Sequence, residues 1–467
     1  MSFKRRFVSG SAAGLVLMGV TAISQIALVP FLLLRWSPEE YGVWLTVQAL
    51  VAFSTILSMG YKTYLEFEFL RIGHLDHEKI SDLLYSSLPP VVLLALFETL
   101  IVLAIKEILA LSGFLGVDQS LASEAGVLWF VLSLSWLFGS VVPGVFQRAF
   151  TPFGFYANNA WWSVFLAVLN LLAIVLTVLV GGRLVDAGLA SCVSNVLVGA
   201  GRTIYLVRIQ GRFGIVRCSG SYLSLKNSIA RVMVVSAKNA MLTFQQQGVR
   251  VVLAGMLGPA LLASFSTVRT LSNVVMQGNQ AVLYPLVPEV MRFVNESKSE
   301  KVSDVFGLMW LLGLLGGGLF LFVLQFFIHW VFDVWTRGKL QFDPLLFSGL
   351  AASLVVFSFY QPFIAVIKGL NMVRAQLYAA VISTVFLLAL LAVLGPVCGL
   401  PAVGLMVFAC EVLLAVFYFY YAKRGLESSG IQWPVARVRV AFFATVVFST
   451  LVFASWLMGV LNTASLG

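Results

Sequence analysis

Residues 231–258, RVMVVSAKNAMLTFQQQGVRVVLAGMLG, and 259–292, PALLASFSTVRTLSNVVMQGNQAVLYPLVPEVMR, carry the problem that this chain poses. Both have the length and apolar content of membrane-spanning helices. Lys238, Arg250 and Arg269 nevertheless lie inside them, with no acidic residue between Arg231 and Pro288. A Lys or Arg near mid-membrane costs about 2.5–3.5 kcal/mol on insertion scales, so three of them impose about 8–10 kcal/mol. At about 100° per residue, Asn239, Gln246 and Arg250 fall in a narrow arc of the first helix, with Lys238 and Gln245 at its margin. Ser266, Arg269, Asn273, Gln277 and Gln280 share a face of the second. A polar, cationic stripe on each of two neighbouring helices predicts a water-filled passage and an anionic ligand. The competing expectation is structural: Lys238 snorkels to the membrane surface, while Arg250 or Arg269 pairs with a buried acid such as Glu98 or Glu411.

The rest of the composition places these helices in a bilayer. The chain of 467 residues is 60% hydrophobic and 11% charged, with mean hydropathy +0.97, which describes a polytopic membrane protein. A net charge of +10 invites a nucleic-acid reading, but the basic residues sit in short loops between apolar spans and form no nucleic-acid module. Cys192, Cys218, Cys398 and Cys410 show neither disulfide-framework nor zinc spacing. His74 and His77 in HLDHE have helical spacing without a third defined ligand, and no GxxxxGK motif occurs, so neither a metal nor a nucleotide is expected as cofactor. The longest loop predicted to be external, Lys106 to Glu124, is too small and too apolar for an active site, which argues against an enzyme.

Hydropathy predicts spans at 8–34, 41–63, 83–105, 125–147, 159–181, 184–207, 231–257, 260–288, 305–330, 344–367, 375–396, 401–421 and 438–461. The basic residues test the count. Loops on the side of Lys4, Arg5 and Arg6 also hold Arg71, Lys79, Arg148, Arg208, Arg212, Arg217, Lys226, Arg231, Arg292, Lys298, Lys301, Lys368, Arg374, Lys423, Arg424, Arg437 and Arg439. Opposite loops hold only Arg35, Lys106, Arg183, Arg337 and Lys339, so the N-terminus is expected in the cytoplasm and the first span remains uncleaved.

An internal repeat aligns Leu34-Arg35-Trp36-Ser37-Pro38 with Gly255-Met256-Leu257-Gly258-Pro259, and Phe146-Gln147-Arg148-Ala149 with Lys368-Gly369-Leu370-Asn371. Two six-helix lobes related by an axis along the membrane normal follow from it. The expected organisation is an all-α chain with an N-terminal lobe over 1–207, an amphipathic cytoplasmic linker over 208–230, a second lobe over 231–424 and an extra C-terminal helix within 425–467. Gly316-Gly317-Gly318 predicts either a hinge or tight packing of the ninth span.

The stretch SAAGLVLMGVTAISQIALVPFLLLRWSPEEYGVWLTVQALVAFSTILSMGYKTYL resembles the start of the bacterial polysaccharide-lipid flippases of O-antigen type, within the multidrug-and-toxin-extrusion-like (MOP) exporter superfamily. The matching features are an uncharged first helix, a Pro-containing turn, Tyr41-Gly42-x-Trp44 and Gly60 near the end of the second span. Where such proteins often carry an acid before that glycine, this chain has Met59, and Lys62 follows. The resemblance implies translocation of an undecaprenyl-diphosphate-linked oligosaccharide, an O-antigen or exopolysaccharide repeat unit, across the bacterial inner membrane by alternating access. Membrane lipids and polysaccharide polymerase machinery would be its partners. On that reading Arg250 and Arg269 contact the diphosphate, because a guanidinium presents forked donors to phosphate oxygens. Lys238 receives the substrate and Lys62 is a further contact, Gln246, Asn273, Gln277 and Gln280 bond sugar hydroxyls, and Glu411 or Glu98 couples an ion. The alternatives are a cation- or proton-coupled drug or metabolite antiporter of the same superfold, and a membrane-embedded glycan polymerase.

Overall fold

The computed structural model describes residues 3–108, 111–216 and 229–464. The centre of the 208–230 linker, residues 217–228, and the side chain of Lys238 lie outside the described residues. Every regular element is helical: α1 (Phe3–Arg35), α2 (Pro38–Ser54), α3 (Ile56–Ile72), α4 (His77–Ile108), α5 (Leu111–Leu115), α6 (Gln119–Trp136), α7 (Val142–Ala149), α8 (Tyr156–Leu179) and α9 (Leu184–Ile209) come first. They are followed by α10 (Ile229–Thr243), α11 (Val249–Leu257), α12 (Pro259–Leu283), α13 (Val287–Asn295), α14 (Ser299–Trp310), α15 (Gly317–Thr336), α16 (Pro344–Gly369), α17 (Val373–Ser428) and α18 (Val435–Ala464).

Among the described residues, nine helices are long and apolar enough to cross a membrane, ten when the bent pair α2–α3 counts as one span. The difference from the thirteen expected spans has two physical sources. The range given as α17 is two helices meeting at a kink, where Gly399 at φ 67°, ψ −166° is non-helical, and the two lengths match the eleventh and twelfth expected spans. The other shortfall is the stretch Ile229–Leu283, whose polar and cationic residues keep it below the apolarity of a lipid-facing helix. The second expected span is bent by 55° where α2 meets α3.

Local chemistry explains the element starts that matter. Ser37 caps α2 through a reciprocal box: its hydroxyl accepts from the Glu40 amide at 3.1 Å, and the Glu40 carboxylate accepts from the Ser37 amide at 2.8 Å. Pro38 supplies the first helical residue, where its missing N–H costs nothing. Asp343 caps α16 by accepting from the Leu346 amide at 2.7 Å, again followed by proline.

The chain forms two compact units, Met1–Ala260 and Leu261–Gly467. The division falls one helix beyond the linker, because α10 and α11 pack on α2 and α3. Glycines let those backbones touch: a Cβ on Gly42 would lie 1.9 Å from the Pro259 carbonyl oxygen, and one on Gly60 would lie 2.0 Å from the Ser236 hydroxyl. In the second unit Gly349 and Gly404 join α16 to α17 in the same way, with a Cβ on Gly349 only 2.3 Å from the Gly404 carbonyl carbon. Of the two expectations for Gly316-Gly317-Gly318, tight packing fits Gly318, where an added Cβ would lie 3.0 Å from the Phe448 ring. A π-helical turn over Leu311–Gly316 precedes it.

Candidate functional site

In the first unit the polar groups assemble around the bend between α2 and α3. Breaking the helix at Thr55 leaves the first amides of α3 without intrahelical partners, and the Glu98 carboxylate of α4 accepts from the Ser58 amide at 2.9 Å. Glu98 is 5% exposed, so this residue, expected from the sequence as an ion-coupling acid, closes a broken helix end as well. Its second oxygen is buried without a hydrogen-bond partner. The Ser58 hydroxyl accepts from the Trp136 indole at 2.9 Å, and the Lys62 ammonium lies 3.6 Å from the centre of that ring.

Trp136 ends α6 at a π-helical turn, Leu137–Val141. Such a turn disturbs the regular backbone ladder, and here the Ser140 carbonyl accepts from Lys62 Nζ at 3.3 Å. Lys62 is only 2% exposed. Gly144 makes the room it needs, since a Cβ there would sit 3.2 Å from Lys62 Cδ and 3.3 Å from Arg148 Nη1. Arg148 donates to the Gly144 carbonyl at 3.1 Å and its Nε lies 3.4 Å from Glu66. Arg202 of α9 donates to the Gln147 amide oxygen at 2.6 Å, and its Nε is buried without a partner. Lys62, Arg148 and Arg202 all interact electrostatically. Among the described residues, neither Lys62 nor Arg202 forms an ion pair, while Glu98 acts electrostatically on Lys62, so three cations stand beside the two carboxylates Glu66 and Glu98.

Arg148 and Arg202 were absent from the site expected on sequence grounds. By hydropathy Arg148 falls in the loop immediately after the fourth span. The available signal for Arg202 was its place inside the span 184–207, five positions short of the end. Helix bending and the α7–α9 packing bring both to Lys62, which no periodicity within one helix reveals.

The expected stripe on residues 231–257 is modified by a π-helical turn over Phe244–Gly248. That turn resets the angular register between Asn239 and Arg250, so the 100° arithmetic does not carry through it. Asn239 donates to the Thr63 hydroxyl at 3.1 Å. Gln246 is exposed, and Gln247 instead accepts from Arg250 Nη1 at 3.3 Å. Arg250 also lies within electrostatic reach of Tyr41, and its Nε is buried without a hydrogen-bond partner.

In the second unit Arg269 lies 5.7 Å from the Phe265 ring and interacts electrostatically with Glu411. Glu411 accepts a hydrogen bond from the Tyr360 hydroxyl, and Tyr418 stacks on Tyr360 with centroids 5.3 Å apart. Glu411, one of the two acids expected to pair with Arg250 or Arg269 in the structural alternative, thus acts electrostatically on Arg269. Asn273, Gln277 and Gln280 are partly exposed along α12. Asn279, which the stripe omitted, lines a cavity of about 370 Å³ with Leu354, Phe357 and Gly317, and donates to the Ser358 hydroxyl at 2.7 Å. His77 stacks on Phe153 with centroids 5.9 Å apart. No group of three potential metal ligands occurs among the described residues.

No family model and no curated protein matches the chain. Solved structures do. An inward-facing multidrug resistance MATE family transporter of the MOP superfamily aligns with TM-score 0.67 at 18% identity, covering 88% of this chain and 95% of that one. The lipid II flippase MurJ in an inward closed conformation aligns with TM-score 0.65 at 10% identity, covering 97% of each chain. A MOP superfamily transporter from Pyrococcus furiosus, described as having a binding pocket of reverse polarity, aligns with TM-score 0.60 at 15% identity, covering 92% and 97%. The chain is therefore an all-helical polytopic membrane protein with the MATE-like fold.

Proposed function

We propose that the protein is a flippase that carries a diphosphate-linked lipid oligosaccharide across the bacterial inner membrane by alternating access, with its N-terminus in the cytoplasm. The observation that carries this reading is the excess of positive charge around buried Lys62 and half-buried Arg148 and Arg202, three cations beside two carboxylates, Glu66 at 3.4 Å from Arg148 and Glu98 acting on Lys62, with an indole face, backbone carbonyls and an amide as the other contacts. Keeping such charge away from water is costly unless an anion offsets it. A diphosphate provides several oxygens for forked guanidinium donors, and its sugars require hydrogen-bonding amides such as Gln247. Arg250 supplies a further guanidinium whose nearest polar partner is neutral Gln247. The lipid tail needs no polar route, because it can remain in hydrocarbon throughout. The fold shared with the lipid II flippase MurJ supports the same class of cargo, and O-antigen or exopolysaccharide repeat units are the proposed members of it.

Transfer of a labelled lipid-linked oligosaccharide between the leaflets of reconstituted vesicles tests the proposal. Leaflet transfer without a change in glycan length is expected; chain growth would identify a polymerase instead. A second reading is favoured by one feature. Glu411, held by Tyr360 beside Tyr418, is an acid among aromatics, as a cation- or proton-coupled antiporter requires. Within the flippase reading the same acid is the coupling group, and Glu411→Gln would uncouple transfer from an imposed ion gradient. A gradient-driven efflux of cationic dyes with no lipid transfer would instead establish the antiporter.

A further inference from the structure

A strongly apolar cavity of the second unit lies away from the charged clusters described above. It has a volume of about 700 Å³ and runs along α18, walled by Phe408, Val412 and Val416 of α17 and by Phe442, Val446 and Phe453 of α18. Phe359 of α16 lies deeper and meets Phe442 with ring centroids 6.2 Å apart. The far end is bounded by an edge-to-face pair, Phe408 and Phe453, at 5.4 Å. At the near end stands Arg439, which is exposed, whereas neighbouring Arg437 is engaged with Asp304 at 2.7 Å.

We propose that this groove holds one anionic glycerophospholipid, its phosphate at Arg439 and an acyl chain running toward Phe453. Three observations on the groove select that occupant. Its walls are almost wholly hydrocarbon, so they favour a chain over a soluble ligand. Charge is confined to one end, where Arg439 complements a phosphate-bearing headgroup and among the described residues makes no ion pair of its own. Length supplies the third: from Arg439 to Phe453 the helix rises about 21 Å at 1.5 Å per residue, matching the ~20–22 Å from headgroup to midplane of one leaflet. A lipid confined to a single leaflet fits that length, whereas a much longer polyprenyl chain would overrun the Phe408–Phe453 end. The lipid would bridge α16, α17 and α18 and fasten the C-terminal helix to its unit.

The test does not depend on transport. Full-length protein is purified, delipidated in detergent, and titrated with phosphatidylglycerol or phosphatidylethanolamine while bound lipid is counted by native mass spectrometry. Wild-type protein should retain one phospholipid and prefer phosphatidylglycerol about fivefold, the preference expected of one basic side chain near an anionic headgroup. Arg439→Gln should erase the preference but keep the lipid, and Val416→Trp, at an exposed groove position, should expel both lipids. Retention of neither lipid by the wild type, equal preference in wild type and R439Q, or displacement of both by undecaprenyl phosphate would each overturn the proposal. If Val416→Trp fails to purify as a monodisperse species, Val412→Phe gives the same steric readout from α17. Loss of flippase activity in vesicles leaves this result unaffected, so the two readings fail separately.

Discussion

At the scale of single residues, what distinguishes this chain is how differently its buried charges are balanced. Arg202 meets the amide of Gln147 and no carboxylate, so its charge is a cost to the empty protein. Arg202→Gln is therefore expected to raise the melting temperature in detergent while slowing lipid transfer about tenfold or more, the loss of one charge-assisted contact. A fall in both would show that Arg202 is structural. Arg269 differs because Glu411 is its neighbour. Arg269→Gln and Glu411→Gln should each destabilise the protein, and the double variant should recover most of that loss; additive losses would separate the two groups. Arg250 should behave like Arg202, with Arg250→Ala impairing transfer and leaving insertion intact. The sequence exposed Lys238, Arg250 and Arg269 as charges where a bilayer penalises them, and Lys62 followed only from the family resemblance. It could not show that Arg148 and Arg202 join Lys62, since those contacts depend on three helices meeting.

Helices raise a different question, namely where the regular backbone is interrupted and what the interruption is for. The bend at Thr55 exposes amides that Glu98 closes, and the π-helical turn after Trp136 carries the carbonyl that receives Lys62. Glu98→Ala should therefore lower stability by about 1–3 kcal/mol, the cost of leaving a buried donor unmet, measured as a shift in the thermal unfolding midpoint. Gly399 adopts φ 67°, ψ −166°, a conformation essentially restricted to glycine. Gly399→Ala should cost about 1–3 kcal/mol and disturb the pairing of the two halves of α17, whereas an unchanged melting temperature would mean that the kink relaxes freely. The cap at Ser37-Pro38-x-Glu40 is a local device within four consecutive residues, and the Pro-containing turn was the part of it read from the sequence. The π-helical turns over Phe244–Gly248 and Leu311–Gly316 were not, since nothing in their composition distinguishes them from ordinary helix, and the first reset the expected stripe of Asn239, Gln246 and Arg250.

For the whole molecule, topology and the grouping of helices into units have separate origins. Single cysteines replacing Lys298 or Arg424 should react with an impermeant thiol reagent only from the cytoplasmic face, and one replacing Arg337 only from the opposite face. Reversed labelling would invert the proposed direction of transport. Hydropathy and loop charge sum along the chain, so the all-helical membrane class, the positions of most of the apolar helices and the sidedness expectation could be read without any knowledge of contacts. Packing cannot be summed in that way. That α10 meets α3 at Gly60 and Pro259 meets α2 at Gly42, that Lys62 meets Arg148 and Arg202, and that Glu411 acts on Arg269 were decided only in the tertiary structure. Each depends on backbones approaching within van der Waals distance, and on which distant side chains are then left to neutralise a charge that water no longer reaches.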